Sequence, residues 1–245
     1  MTHNVYGDIL FLSASQTGRV FHFRSSLCYW NHSEVLALEK LGFPLLFVPC
    51  YTRAMTDTAR ELPFTETEYL AFDRESEVRH EFNDGVLWAM SGGKIKHNDI
   101  AFNITAILKE AARPRGCRVT MENIKVRAGR AYFLPDVAVT CEPRSGEDDI
   151  LEHPCALFEV LSPSTETRDR TLKLEAYTRT ISSLEQYALV SSERRYVELY
   201  TRAGSGLWTY QSFAQGEEFT VSCLQTTLSL EQIYRFVDLK AEPDE

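Results

Sequence analysis

Hydrophobic and polar residues follow two different periods between Phe64 and Phe236, and the switches between them mark out the elements. Thr65 with Glu68 three residues later is a capping box and predicts a short helix through Phe72. Arg79 to Phe82, the turn Asn83-Asp84-Gly85, and Val86 to Met90 read as a β-hairpin, because Asp-Gly accepts the positive φ of a tight turn. Ile100, Ala101, Ile104, Leu108 and Ala111 recur at helical spacing until Pro114 and Gly116 stop the pattern. This predicts a long helix from about Lys96 to Ala112, packed on a sheet. Strands are predicted at about 117–121, 124–127, 131–140 and 155–161, a helix at about 167–179, strands near 186–190, 196–202 and 207–213, and a last helix from Ser229 to Phe236. The order predicts an α/β (α+β) fold, a mixed β-sheet flanked by helices, rather than a doubly wound dinucleotide fold. The sequence contains no glycine-rich phosphate loop, which argues against a nucleotide cofactor.

Residues 1–54 break this regularity. They carry four basic residues (19, 24, 40, 53) and three acidic ones (8, 34, 39), with helical periodicity only at Ser33 to Leu41. Met55 then opens the polar string Met-Thr-Asp-Thr-Ala-Arg, which reads like a protein start. The expected organisation is residues 1–54 as an N-terminal extension, poorly structured or from a misassigned start, and 55–245 as the folded domain. A genuine N-terminal subdomain is the alternative.

The composition, 44% hydrophobic and 25% charged over 245 residues, is that of one or two globular domains. The longest apolar run, Phe43 to Val48, falls far short of the roughly 20 residues of a membrane span, and no cationic leader is present. Six cysteines, at 28, 50, 117, 141, 155 and 223, show neither close pairs nor metal-ligand spacing, and Cys117 and Cys155 read as small core hydrophobes. A cytoplasmic location without membrane insertion is expected. The net charge of −9 argues against coating nucleic acid by bulk electrostatics. Between Arg113 and Arg130, however, six basic residues face the single acid Glu122. Such a run is either a solvated face or a local phosphate contact.

Two strings carry the candidate chemistry. Leu134-Pro135-Asp136-Val137-Ala138-Val139 and Leu157-Phe158-Glu159-Val160-Leu161 each place one carboxylate in a β-branched, apolar run where an unpaired charge is costly. Proline 135 fixes its own φ and holds Asp136 in or beside a strand, at an edge or irregularity. Magnesium takes oxygen ligands, usually one or two carboxylates with water and substrate phosphate, so two carboxylates on neighbouring strands meet its demand. Lys173, on the helix after Ser162-Pro163-Ser164-Thr165, places an ammonium near such a metal or serves only in an i,i+4 pair with Asp169. Asp136 alone also fits a turn cap or an arginine partner.

As a set, Glu81, Pro135-Asp136, Glu159 and a downstream lysine resemble the PD-(D/E)XK nuclease superfamily. Within it, Arg79-His80-Glu81-Phe82-Asn83-Asp84-Gly85, His97-Asn98, Phe133-Leu134-Pro135-Asp136-Val137 and Glu159-Val160-Leu161-Ser162-Pro163-Ser164-Thr165 are similar to the Uma-two family of restriction-endonuclease-like proteins. The resemblance spans about Phe64 to Val237. It implies a restriction-endonuclease-like core of four mixed strands with Mg²⁺, or Mn²⁺, at the sheet edge and DNA as substrate. Asp136, Glu159 and the backbone carbonyl of Val160 are the implied metal ligands, Glu81 the upstream acid and Lys173 the water-orienting base. The lysine usual two residues after the strand glutamate is Leu161 here, which shifts that role to Lys173. His97, opening its helix, is an accessory candidate for phosphate or the acidic cluster. His80 should face away from Glu81 across the strand. The function implied is a Mg²⁺-dependent endonuclease hydrolysing DNA phosphodiester bonds, with a two-fold homodimer favoured for double-strand cleavage. A degenerate nuclease fold that only binds DNA or protein is the competing reading.

Overall fold

The computed structural model describes residues 64–239 except Ser91, Arg144 and Ser205, together with the strand backbone of 9–10, 20–23, 26–29, 48–49 and 60–61. The chain divides into two units, Met1–Thr56 and Asp57–Glu245. In the first, Ile9–Leu10 pairs antiparallel with Val48–Pro49, and Val20–Phe23 with Ser26–Tyr29. The rest of the expectation for residues 1–54 lies outside the described residues.

In the second unit, β1 (Arg60–Glu61) precedes α1 (Glu66–Glu75), which starts at the expected capping box: Thr65 Oγ1 accepts from the Glu68 amide while the Glu68 side chain accepts from the Thr65 amide. The hairpin β2 (His80–Asn83) and β3 (Val86–Ala89) turns at Asp84 and Gly85, both at positive φ. Helix α2 (Ile95–Ala112) follows, then β4 (Arg118–Met121), β5 (Lys125–Ala128), β6 (Ala131–Phe133), β7 (Val137–Thr140), β8 (Ile150–Leu151) and β9 (Ala156–Leu161). Helix α3 runs from Glu166–Arg168 through a π-helical segment, Asp169–Lys173, into Leu174–Thr180. Strands β10 (Gln186–Ser191), β11 (Tyr196–Arg202), β12 (Trp208–Ala214), β13 (Glu218–Val221) and β14 (Thr226–Ser229) and the short α4 (Leu230–Ile233) complete the domain.

The central sheet has the order β12-β11-β10-β9-β7-β4, six strands where the resemblance implied four. The antiparallel run β10-β11-β12 supplies the extra width. Only β9 and β10 are parallel within it, and a parallel neighbour needs a crossover, which α3 provides. Every residue of β9 is buried, so its unbroken apolar run reflects a strand covered on both faces. Phe158 and Val160 face a core with Ile100, Ile104 and Leu108 of α2, joined by Phe219, Leu228 and Ile233 from the C-terminal hairpin and α4. Leu157 and Leu161 face the other core, with Tyr177 of α3 and Val126, Ala131 and Phe133 of the second sheet, whose order is β8-β5-β6-β2-β3-β1. No helix among the described residues is long and apolar enough to cross a membrane.

Three expectations are corrected. The single strand predicted at 131–140 is two strands in two different sheets, because Leu134-Pro135-Asp136 breaks the ladder and turns the chain from one to the other. The β13–β14 hairpin was not expected: its connection runs through a 3₁₀ turn and Gln225 at φ 46°, without the Asn-Gly or Asp-Gly signal. Cys117 and Cys155 are not core thiols but are disulfide-bonded to Cys141 and Cys223, partners brought close by tertiary pairing and invisible in linear spacing.

The β5–β6 turn gives a direct test of backbone restraint. Gly129 sits at φ +64° and a Cβ there would lie 3.1 Å from Thr180 Cγ2 of α3, whereas nothing lies within 4 Å of a Cβ on Gly146. Gly129→Ala should therefore lower unfolding stability by about 1 kcal/mol or more, and Gly146→Ala should leave it unchanged or raise it by up to about 1 kcal/mol, in urea titrations.

Candidate active site

The sheet-switching segment places Asp136 one residue before β7. Val137 pairs with Phe158, so the next step of that antiparallel register sets Asp136 across from Glu159. Both carboxylate oxygens of Asp136 are held: Oδ2 accepts from the Val160 amide at 2.5 Å and Oδ1 lies 3.0 Å from His97 Nε2, near the start of α2. Val160, whose carbonyl is the expected ligand, also brings its N–H to the site. The Asp136 carbonyl in turn accepts from the Glu122 amide at 3.3 Å. Glu122 adopts φ 41°, a left-handed conformation uncommon for glutamate, in the β4–β5 connection, where Arg79 Nη1 donates to its carbonyl at 2.8 Å. The ligand-capable atoms of His97, Glu122 and Asp136 lie within 4.8 Å of one another.

A second, deeper group adjoins this one. Lys173 Nζ lies 2.8 Å from Glu81 Oε1, 3.0 Å from Glu159 Oε1 and 3.1 Å from Asp169 Oδ1. Glu81 is 0% exposed, Asp169 1%, Lys173 2% and Glu159 3%, so these four groups have exchanged water for one another. Glu81 Oε1 also accepts from the Leu134 amide, Tyr177 donates to Glu159 Oε1, and Arg168 Nε approaches Glu81 Oε2 at 3.4 Å. The π-helical segment adds a residue to one turn of α3, and Asp169 and Lys173 both point inward from it. The i,i+4 pairing of Asp169 and Lys173 and the contact of Lys173 with strand carboxylates are thus one arrangement.

The electrostatics follow from burial. Loss of water opposes the Lys173 ammonium, but the carboxylates of Glu159, Glu81 and Asp169 outweigh it and hold its pKa well above the ordinary lysine value. Burial pushes the Glu159 carboxyl well above its usual range, and the charges of Asp169, Asp136 and Glu81 add to the push against the pull of Lys173. The two directions share one cause: carboxylates crowded around a single ammonium favour its charged form and disfavour one another's. Burial also works against the His97 imidazolium, yet the hydrogen bond to Asp136 raises its pKa.

Of the residues singled out in the sequence, Glu81, Glu159 and Lys173 meet directly, while Asp136 and His97 form the neighbouring pair joined to them through the β9 backbone. His80 is turned to Asp73, which also takes Lys125 at 2.7 Å. Within the basic stretch, Lys125 and Arg127 are thereby committed to ion pairs, Arg127 with Glu66 and Glu152.

A family model described as "Putative restriction endonuclease" matches residues 66–232. The chain belongs to this Uma2 family. The Uncharacterized protein slr1290 of Synechocystis is 30% identical over 171 residues, 69% of this chain and 90% of that protein. A second Synechocystis protein, sll1609, is 28% identical over 149 residues, 59% of this chain and 84% of its own length. A crystal structure described as a putative nuclease from Anabaena variabilis aligns with a TM-score of 0.61 at 19% identity, covering 71% of this chain and 99% of that one, and shows a shared fold.

Sequence reasoning passed over four groups in this Uma2 site: Glu122, Arg168, Asp169 as a buried partner, and Tyr177. Glu122 had a signal, being the only acid in the basic stretch. Arg168 and Tyr177 had none, because their contacts with Glu81 and Glu159 are tertiary.

Removing the ammonium tests how the cluster is held. Lys173→Met should cost about 3–5 kcal/mol of unfolding stability near neutral pH by leaving buried carboxylates without their cation. Lys173 holds the raised Glu159 pKa down, so its loss raises that carboxyl further; since a carboxyl with a raised folded pKa contributes less stability as pH rises above its unfolded value, the deficit relative to wild type should shrink on moving from about pH 7.5 to about pH 5. Parallel urea titrations at the two pH values measure both effects.

Proposed function

We propose that this chain is a divalent-metal-dependent endonuclease that hydrolyses DNA phosphodiester bonds. The observation carrying the reading is the charge imbalance: Glu81, Glu122, Asp136, Glu159 and Asp169 converge on one end of β9, against the fixed cations Lys173 and Arg168 and the imidazole of His97. Glu81, Glu159 and Asp169 are buried and Glu122 and Asp136 half-buried, and such a surplus of carboxylate charge is costly in a folded protein unless a cation offsets it. The oxygen donors of Asp136, Glu159 and Glu122, with the Val160 carbonyl, fit Mg²⁺ or Mn²⁺, and His97 fits beside them as the partner that orients Asp136. Bound there, the ion would lower the pKa of an attacking water and offset charge on the phosphate in the transition state.

The chain's own groups have distinct tasks. Lys173 has three N–H donors and three carboxylates within 3.1 Å, so it fixes Glu81, Glu159 and Asp169 relative to one another. Release of Glu159 would free one N–H for a water or phosphate oxygen. The Val160 amide and His97 hold Asp136 in a single orientation, which removes reorganisation from the reacting geometry. Arg168 partly offsets the charge of Glu81 from the far side.

Plasmid and single-stranded DNA incubated with Mg²⁺ or Mn²⁺ test this reading. Wild type should nick or cut in either metal and lose activity with chelator, while Asp136→Ala and Glu159→Ala should fall by about 10²-fold or more. Equal nicking by wild type and both variants would refute it. DNA retention in gel shifts without cleavage in any metal would favour the non-catalytic binding module.

A further inference from the structure

Four cysteines from four separate segments meet at the end of the central sheet opposite in sequence sense to Glu159, at the start of β9. Cys117 immediately precedes β4 and Cys141 immediately follows β7, and since Thr140 pairs with Arg118, the two cysteines are the next cross-strand pair. Cys155 immediately precedes β9, its amide donating to the Val139 carbonyl at 2.8 Å, and Cys223 lies in the 3₁₀ turn Ser222–Leu224 between β13 and β14. The two disulfides are adjacent: Cys141 Sγ lies 4.0 Å from Cys155 Sγ, and the sulfurs of Cys141, Cys155 and Cys223 all fall within 4.8 Å. They differ in access, Cys141 being exposed and Cys155 buried at 7%.

We infer that these four residues form a thiol–disulfide exchange relay, in which the Cys117–Cys141 pair, accessible at Cys141, receives electrons from a dithiol reductant and passes them to the Cys155–Cys223 bond, whose Cys155 is buried. Exchange proceeds by thiolate attack on a disulfide sulfur, and its rate is governed by access and by which sulfur the thiolate can reach. Solvent reaches Cys141, and Cys141 is already near van der Waals contact with the buried sulfur. The dithiol reduces Cys117–Cys141 to two thiols and leaves as its own disulfide. The Cys141 thiolate attacks Cys155 Sγ, forming Cys141–Cys155, and Cys223 departs as a thiolate that takes a proton from water. Cys117 thiolate then attacks Cys141 Sγ, restoring Cys117–Cys141 and releasing Cys155 as a thiol. Two electrons and two protons have moved from the dithiol to Cys155 and Cys223. The bond so opened tethers the β13–β14 turn to the root of β9, the strand that carries Glu159, while the hairpin and α4 share a core with α2, which carries His97. The relay is independent of the nuclease reading.

Cys117→Ser tests the attack step without any reductant, since it leaves Cys141 as a thiol with no resolving partner. Folded protein, quenched in acid and alkylated, should yield a Cys141–Cys155 cross-linked peptide with Cys223 alkylated in a substantial fraction of chains. Cys155–Cys223 intact with Cys141 alkylated in every chain would overturn the relay. Cys141→Ser supplies a second measure: reduction of Cys155–Cys223 by a small dithiol should slow by about tenfold or more relative to wild type, under conditions where circular dichroism shows both folded. An unchanged rate would also overturn it.

Discussion

One ammonium group ties the second unit together. Lys173 leaves α3 and meets Glu81 of the second sheet and Glu159 of the central sheet, as well as Asp169 on its own helix. Two sheets and a crossover helix therefore converge on a point that water does not reach. The arrangement is expensive to assemble, since each ion is desolvated and the compensation depends on close geometry. Hydrophobic residues of similar volume would fill this space at lower cost, so the cluster is not explained by stability alone. Asp169 and Lys173 open and close the π-helical turn, and both are buried.

Asp136 is the second fixed point, and it is set by backbone rather than by charge. Pro135 ends the ladder of β6, the chain crosses between sheets, and the first residue after it falls opposite Glu159. The Leu134 amide on Glu81 and the Val160 amide on Asp136 stitch the crossing to both carboxylate groups. The site is therefore a consequence of where two sheets share one continuous segment. A change that let residues 131–140 run as one strand would separate Asp136 from Glu159 without touching either side chain.

Much of this was legible in the sequence, for identifiable reasons. The hairpin at Asp84-Gly85, the span of α2 and the capping box at Thr65 rest on local chemistry, and local chemistry is what periodicity and turn residues report. Glu159 stood out because a charge inside a doubly covered strand contradicts its surroundings. What stayed hidden was non-local. The i,i+4 spacing of Asp169 and Lys173 is the same for a solvated pair and a buried one, and only tertiary packing distinguishes them. The cross-strand partnership of Cys117 and Cys141 depends on register, and that of Cys155 and Cys223 on a hairpin with no strong turn signal. Glu122 was visible as an isolated acid, but its approach to Asp136 and His97 requires the left-handed turn that carries it.

The surplus carboxylates around Lys173 and Asp136 are proposed to form a divalent-cation site. Anomalous diffraction from crystals soaked in Mn²⁺ tests it most directly. One strong peak is expected within bonding distance, about 2.2 Å, of an Asp136 carboxylate oxygen and beside Glu159, with Lys173 still contacting Glu81. Fully soaked crystals with no peak at Asp136, or with Mn²⁺ bound only at surface carboxylates, would contradict it.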